Sequence, residues 1–272
     1  MRNGARPAPG SVGLPAEASE HPGPAAPTRP RTSRRRGPGW VPNQHGAWAM
    51  LATPLLVGIL ASGFRWIDLP LTVMWFLGYF AFFATGLWLK SGRKPRYWPP
   101  VRAYTLLAAI AGLVVLALDP RLLQWAPLFV LPMAVGLYAS AQRRDRALLA
   151  GMATSIGSSL MVLVAYDAGG GSDVHRAWLL TLVLAGYFAG TVVYVKTMIR
   201  ERGSHPHYWL SVGWHAVITL ALIPVSSALV FVFALLTIRA AMVPSFRVSP
   251  KALGIGEAVA TVVVALTALV TI

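Results

Sequence analysis

An all-α transmembrane bundle of nine helices is the fold that the sequence predicts, and three observations predict it. Apolar residues make up 56% of the 272-residue chain and charged residues only 12%, with a mean hydropathy of +0.58, far from the quarter-charged composition of soluble domains. The apolar residues gather in nine segments, each near the roughly 20 residues that a helix needs to cross a bilayer core. Lys and Arg are distributed over the intervening loops as in a multi-pass protein.

Residues 1–39 are rich in Pro, Ala, Gly, Ser and Arg. They carry no periodic apolar pattern and bury too little to offset chain ordering, so a disordered cytoplasmic tail is expected ahead of a membrane domain at 40–272. The stretch "TSRRRG" at Thr32 to Gly37 resembles a twin-arginine signal. Many apolar segments follow it with no clear small-residue cleavage site after the first, so its arginines are read as holding the tail inside.

The first span is expected at 46–64, opened by "WVPNQHGAWAM" from Trp40 to Met50. Asn43 there suits a helix cap, whereas Gln44 and His45 are left either to anchor the interface or to contribute to a polar site. The second span, 70–89, contains Gly78-Tyr79-Phe80-Ala81, and Pro99-Pro100 separates it from the third at 102–118. Pro120 precedes the fourth, 122–141, and Arg143, Arg144 and Arg146 follow it. The fifth, 148–167, begins with the small-residue run "GMATSIGSS", which reads as close helix packing. Gly169-Gly170-Gly171 comes next without a following Lys-Ser, so flexibility accounts for it and a phosphate loop is excluded. The sixth span, 177–199, pairs Gly186 with Gly190 at packing distance and ends in Lys196 and Arg200. Pro224 stops the seventh at 208–224, Pro244 the eighth at 226–243, and Pro250 starts the ninth at 252–272. No mid-membrane helix break is evident in this pattern.

With the tail inside, every one of the 24 Lys and Arg residues except Arg65, Arg121 and Arg176 falls on the inner side. The expected topology is therefore N-terminus inside and C-terminus outside, in a bacterial cytoplasmic membrane. The net charge of +15 sits in short loops beside anionic lipid headgroups, which argues for lipid partners and against nucleic acid. Absence of cysteine removes disulfides, thiolate nucleophiles and thiolate metal sites.

Gly78-Tyr79-Phe80-Ala81, Lys90, Arg93 and Tyr97-Trp98 recur in the same order as Gly186-Tyr187-Phe188-Ala189, Lys196, Arg200 and Tyr208-Trp209. This predicts a parallel repeat relating spans one to four with five to eight, and leaving the ninth over.

Ionisable residues within spans are costly and face a cavity or one another. His45, Lys196, Arg200, His215, Arg239 and Glu257 all fall in the half expected to be cytoplasmic, where the odd-numbered helices also point their N-termini. An anion site is the expectation. For each residue a plainer reading stands beside it: Arg239 and Glu257 as an ion pair between helices, Lys196 snorkelling to headgroups, His215 hydrogen-bonding a neighbouring helix. His205 and His207 flank a proline without a third metal ligand, which is a weak metal signal. No metal site is assigned, and no Ser/His/Asp hydrolase motif appears.

"PNQHGAWAM" at the first span and "YVKTMIRERG" at the end of the sixth resemble the YwiC-like family of bacterial integral membrane proteins over residues 40–272. That resemblance implies a fold and no activity. More distantly, nine helices with a four-helix parallel repeat resemble the UbiA superfamily of intramembrane prenyltransferases. Its members hold magnesium and an isoprenyl diphosphate with aspartate-rich motifs after helices two and six. Here those places read "GLWLKSGRKPRYW" and "YVKTMIRERGSHPHYW", with Glu201 the only acid. Magnesium is therefore not expected, no other cofactor is implied, and cations would have to hold any anion directly.

The functional expectation is a cytoplasm-facing site for an amphipathic anionic ligand: an isoprenoid phosphate, a quinone or a haem-type precursor. Asn43, Gln44, Lys196, Arg200 and Arg239 would bind the head, Glu257 would orient a cation, and Tyr187 and Tyr194 would line the apolar part. His45 or His215 would carry a proton in a metal-independent transferase. The alternatives are a transporter of small anions or metabolites, and an accessory protein of a respiratory or lipid-modifying complex.

Overall fold

The computed structural model describes residues 39–42 and 45–272. The expected tail, apart from Gly39, lies outside the described residues, as do Asn43, Gln44 and the side chain of His45. Ten α-helices follow one another: α1 (His45–Ser62), α2 (Asp68–Lys90), α3 (Trp98–Leu118), α4 (Ala126–Ala141), α5 (Leu148–Ser159), α6 (Met161–Ala168), α7 (Val174–Ile199), α8 (His205–Ala221), α9 (Ser227–Met242) and α10 (Pro250–Thr271). Helices α5 and α6 are two halves of one rod, so nine rods are formed among the described residues. Seven are long and apolar enough to cross a membrane, and α1 is a shorter apolar helix. Apolar side chains such as Leu56, Leu113, Leu131, Phe231, Val262 and Val270 are exposed on the outer faces. A multi-pass membrane protein is the consequence, because only lipid accommodates such a surface.

Prolines begin helices here more often than they end them, since the first helical position needs no N–H. Pro99 and Pro100 lie in the first turn of α3, Pro206 in that of α8 and Pro250 at the start of α10. Both α3 and α8 therefore start a turn earlier than the expected spans, and α8 ends at Ala221, short of Pro224. Before α4 the chain forms a 3₁₀ turn over Pro120–Trp125. There Arg121 grips Asp119 through Nε at 3.0 Å and Nη2 at 2.8 Å, and these bonds hold the Asp119 carboxyl below its ordinary range.

Two helices contain an internal proline, Pro54 in α1 and Pro132 in α4. Pro54 has no N–H to offer the Met50 carbonyl. Ser158 of α5 supplies the replacement through its hydroxyl, and Trp75 of α2 donates its indole N–H to the next carbonyl, Leu51, at 2.8 Å. Three helices are thus tied together at the proline of α1.

Leu160, with helical φ and ψ of −59° and −18°, is a one-residue irregularity within the fifth rod, which runs from Leu148 to Ala168 as expected. The cause is local: Ser155 and Ser159 turn their hydroxyls back to the carbonyls of Gly151 and Ser155 at 2.7 and 3.0 Å, competing with the helical ladder. Leu163 N–H then bonds Leu160 three residues back instead of four.

Helix α7 is the axis of the core. Leu180, Leu184, Tyr187 and Phe188 pack against Val57 of α1, Val162 of α6, Phe233 of α9 and Val264 of α10. Small residues allow the approach: a Cβ on Gly58 would stand 2.6 Å from Ala165 Cβ, and one on Gly151 would stand 2.8 Å from Val192 Cγ1. The packing does not follow the expected four-helix repeat. Helix α3 packs chiefly on α2, whereas its counterpart α8 packs chiefly on α9. Gly78 meets nothing, while a Cβ on its counterpart Gly186 would touch Ile218 at 3.1 Å.

Candidate functional site

Four helices bring polar side chains together in the half of the bundle whose loops carry Arg200, Arg202, Arg247 and Lys251. Tyr187, Thr191 and Tyr194 lie on one face of α7, because steps of four and three residues close one helical turn each. Ser211 and His215 do the same on α8, and Glu257 and Thr261 on α10. Arg239 comes from the last turn of α9.

Glu257 is the acceptor at the centre. Its Oε1 takes a hydrogen bond from Arg239 Nη1 at 2.5 Å, and its Oε2 takes one from the Thr191 hydroxyl at 3.0 Å. Its backbone carbonyl receives the hydroxyls of Tyr187 at 3.0 Å and Thr261 at 2.7 Å. Every acceptor of the residue is engaged, as a carboxylate taken out of water requires. The Arg239 guanidinium lies 4.2 Å over the Tyr194 ring, a contact that attracts a cation to the face of the ring. The His215 ring meets the same tyrosine edge-on, with centroids 6.4 Å apart.

His215 is 1% exposed, and its Nδ1 lies 2.7 Å from the Ser211 carbonyl oxygen. A carbonyl only accepts, so Nδ1 carries the proton and Nε2 of the neutral ring is an acceptor. Among the described residues nothing bonds that Nε2. It faces Gly190, where a Cβ would stand 3.1 Å away and close the approach. The indole N–H of Trp214 donates to the Gly186 carbonyl at 2.9 Å and sets the register of α8 on α7.

Eight buried side-chain nitrogen and oxygen atoms among the described residues have no hydrogen-bond partner, and four of them are Ser211 Oγ, His215 Nε2, Arg239 Nε and Arg239 Nη2. Buried polar atoms are nearly always paired in folded proteins. Here half the exceptions border one cluster, with donors on Arg239 and an acceptor on His215.

Of the expected site residues, Tyr187, Tyr194, His215, Arg239 and Glu257 are brought together. Lys196 and Arg200 are not: Lys196 Nζ lies 3.9 Å from Glu201 Oε1, and Arg200 is exposed at the end of α7. Asn43, Gln44 and the His45 side chain lie outside the described residues. Thr191, Ser211 and Thr261 escaped the sequence reading, and Gly190 was read there only as a packing residue. Their signal was spacing, each polar residue standing four positions from Tyr187, His215 or Glu257.

Among the described residues no three His, Asp or Glu side chains form a group able to hold a metal. His207 Nδ1 lies 3.2 Å from Ser204 Oγ and 3.9 Å from Glu201 Oε2. The loops after α2 and α7 hold a single carboxylate, Glu201, whose oxygens lie 3.9 Å from Lys196 Nζ and from His207 Nδ1.

The YwiC-like protein family matches residues 41–166, from the start of α1 into α6. "Uncharacterized protein YwiC" of Bacillus subtilis (strain 168) is 30% identical over 179 residues, covering 65% of this chain and 74% of that protein. An "Uncharacterized protein" of Haemophilus influenzae is 25% identical over 230 residues, covering 82% and 94%. No solved structure matches. With "PNQHGAWAM", residues 42–50, inside the matched stretch and a relative 30% identical aligned along 74% of its length, the chain belongs to the YwiC-like family.

Proposed function

We propose that this membrane protein binds the polar head of a small amphipathic molecule between α7, α8, α9 and α10. One observation carries the reading: the unpartnered donors Arg239 Nε and Nη2 and the unpartnered acceptor His215 Nε2 border the same Tyr194 ring. A ligand head supplies what the protein does not, and the aromatic side chains take its apolar part. The charge to be met is small. Glu257 offsets Arg239, and Lys196 and Arg200 stand apart, so a single acceptor group such as a carbonyl or carboxylate suits the site better than a diphosphate. His215 is then the group placed to accept a proton from a bound head, with the Ser211 carbonyl holding its tautomer.

The test is thermal stabilisation of the detergent-purified full chain by isoprenyl phosphates, quinones and porphyrins, each with magnesium and with a chelator. Stabilisation by one class, insensitive to chelation and reduced about tenfold or more in apparent affinity by Arg239→Lys, supports the site. Lysine keeps the charge opposite Glu257 but loses the forked donors. No shift with any class in folded protein would overturn it.

A further inference from the structure

We infer a second site, apart from α7 to α10, at which an anionic diacyl phospholipid lies lengthwise against α3. A cavity of about 270 Å³ opens at the start of that helix, lined by Trp98, Pro99, Arg102, Ala103 and Leu106. Trp98, Arg102 and Leu106 stand four residues apart, so they follow one another along a single helix face. Pro99 and Ala103 form the adjoining row, where small side chains leave the hollow. Beyond the cavity the same face continues through Ile110 and Leu113, at steps of four and three, and Leu106, Ile110 and Leu113 are all exposed. Helix α3 packs chiefly on α2, so this side of it is left to lipid. From Arg102 to Leu113 the helix rises about 16 Å, close to half the thickness of a bilayer core. An apolar track of that length headed by one cation has the dimensions of a phospholipid in one leaflet, with its phosphate at Arg102.

The head end is defined by its wall and its charge. The Trp98 ring leans on Trp88 of α2, with centroids 4.9 Å apart, and is 41% exposed, as an indole at a membrane interface is. Among the described residues no carboxylate pairs with Arg102, and a guanidinium can grip a phosphate with two N–H groups. Arg93, Lys94 and Arg96 precede it in the connection from α2 and add to the positive potential. A soluble anion would meet the guanidinium and leave the apolar part of the cavity uncovered. A zwitterionic lipid would bring its own ammonium among these cations. A negative head joined to acyl chains satisfies both parts.

The experiment titrates the detergent-purified full chain with phosphatidylglycerol and with phosphatidylcholine of the same acyl chains, and resolves the bound lipids by native mass spectrometry. The first phosphatidylglycerol is expected to bind about fivefold more tightly than the first phosphatidylcholine, the effect of one basic side chain on an anionic headgroup. Because that comparison uses the unaltered protein, it survives any folding defect in variants. Arg102→Gln is expected to remove most of the preference, and Arg102→Lys to keep part of it, since lysine holds a phosphate as a point charge. Arg144→Gln removes the same charge from the exposed loop after α4 and is expected to leave the preference unchanged. Soluble glycerophosphoglycerol, the head without its chains, is expected not to compete. Equal affinities for the two lipids in the unaltered chain would overturn the inference. So would equal losses in Arg102→Gln and Arg144→Gln, which would reduce the preference to overall charge. Competition by the soluble head would overturn it in favour of a free phosphate.

Discussion

Arg239 and Glu257 pose the sharpest question at the scale of single residues, because a largely covered ion pair within the spans is explained equally by helix cohesion and by a site. Removing one partner leaves the other charged in a place with little water. Arg239→Ala is therefore expected to destabilise the protein by about 3–5 kcal/mol, seen as a large fall in thermal midpoint in detergent. Replacing both, as Arg239→Met with Glu257→Leu, is expected to restore most of that stability, because a buried pair and well-packed apolar side chains are often nearly equivalent. A double variant that is stable yet binds none of the ligands would mean that the pair is kept for the site. Equal ligand affinity in the stable double variant would assign it to helix cohesion. The candidate residues were legible in the sequence because charge inside an apolar run stands out. Their convergence was not: Lys196 and Arg239 look alike in the sequence, and only the rotation of α7 and the chance of Glu201 nearby separates one from the other.

At the scale of helices, the packing of α8 on α7 turns on Gly190. A Cβ there would stand 2.9 Å from Trp214 Cδ1 as well as 3.1 Å from His215 Nε2. Gly190→Ala is expected to lower stability by about 1–3 kcal/mol through overpacking. Gly254→Ala in α10, where a Cβ meets nothing within 4 Å, is expected to be neutral or to stabilise by roughly 0.5–1 kcal/mol through helix propensity; thermal unfolding of the two side by side checks both. The proline inside α1 has its own signature. Ser158→Ala should lose about 1 kcal/mol because the Met50 carbonyl is left unpaired. The loss should shrink when Pro54→Ala returns an N–H to the helix, so the double-mutant cycle reads the coupling directly. Additive effects would show that Ser158 does not serve the carbonyl. Helix positions were readable from apolar run length and proline placement. The one-residue irregularity at Leu160 was not, since it accompanies serine hydroxyls turning back on their own helix, and those serines read equally well as packing residues.

For the whole molecule, the testable property is which side of the membrane each loop occupies, and the chain is well suited to the measurement because it contains no cysteine. Single cysteines can be introduced without background, at positions whose side chains are exposed and make no hydrogen bond among the described residues. Ser172, in the loop before α7, and Ser245, in the turn after α9, are both exposed. The basic residues Arg200, Arg202, Arg247 and Lys251 gather at the end of the bundle that holds Ser245, and Arg65, Arg121 and Arg176 lie at the other. Positive loops are retained on the cytoplasmic side. A membrane-impermeant maleimide added to intact cells is therefore expected to label Ser172→Cys and to spare Ser245→Cys until the membrane is opened. The reverse pattern would invert the topology, and labelling of both from outside would mean that a helix between them does not cross. The outcome also decides access to the candidate site. Arg239 and Glu257 lie within two turns of the Ser245 end of their helices, so with that end inside, a ligand reaches them from the cytoplasm or the inner leaflet, and the site serves molecules made or used in the cell.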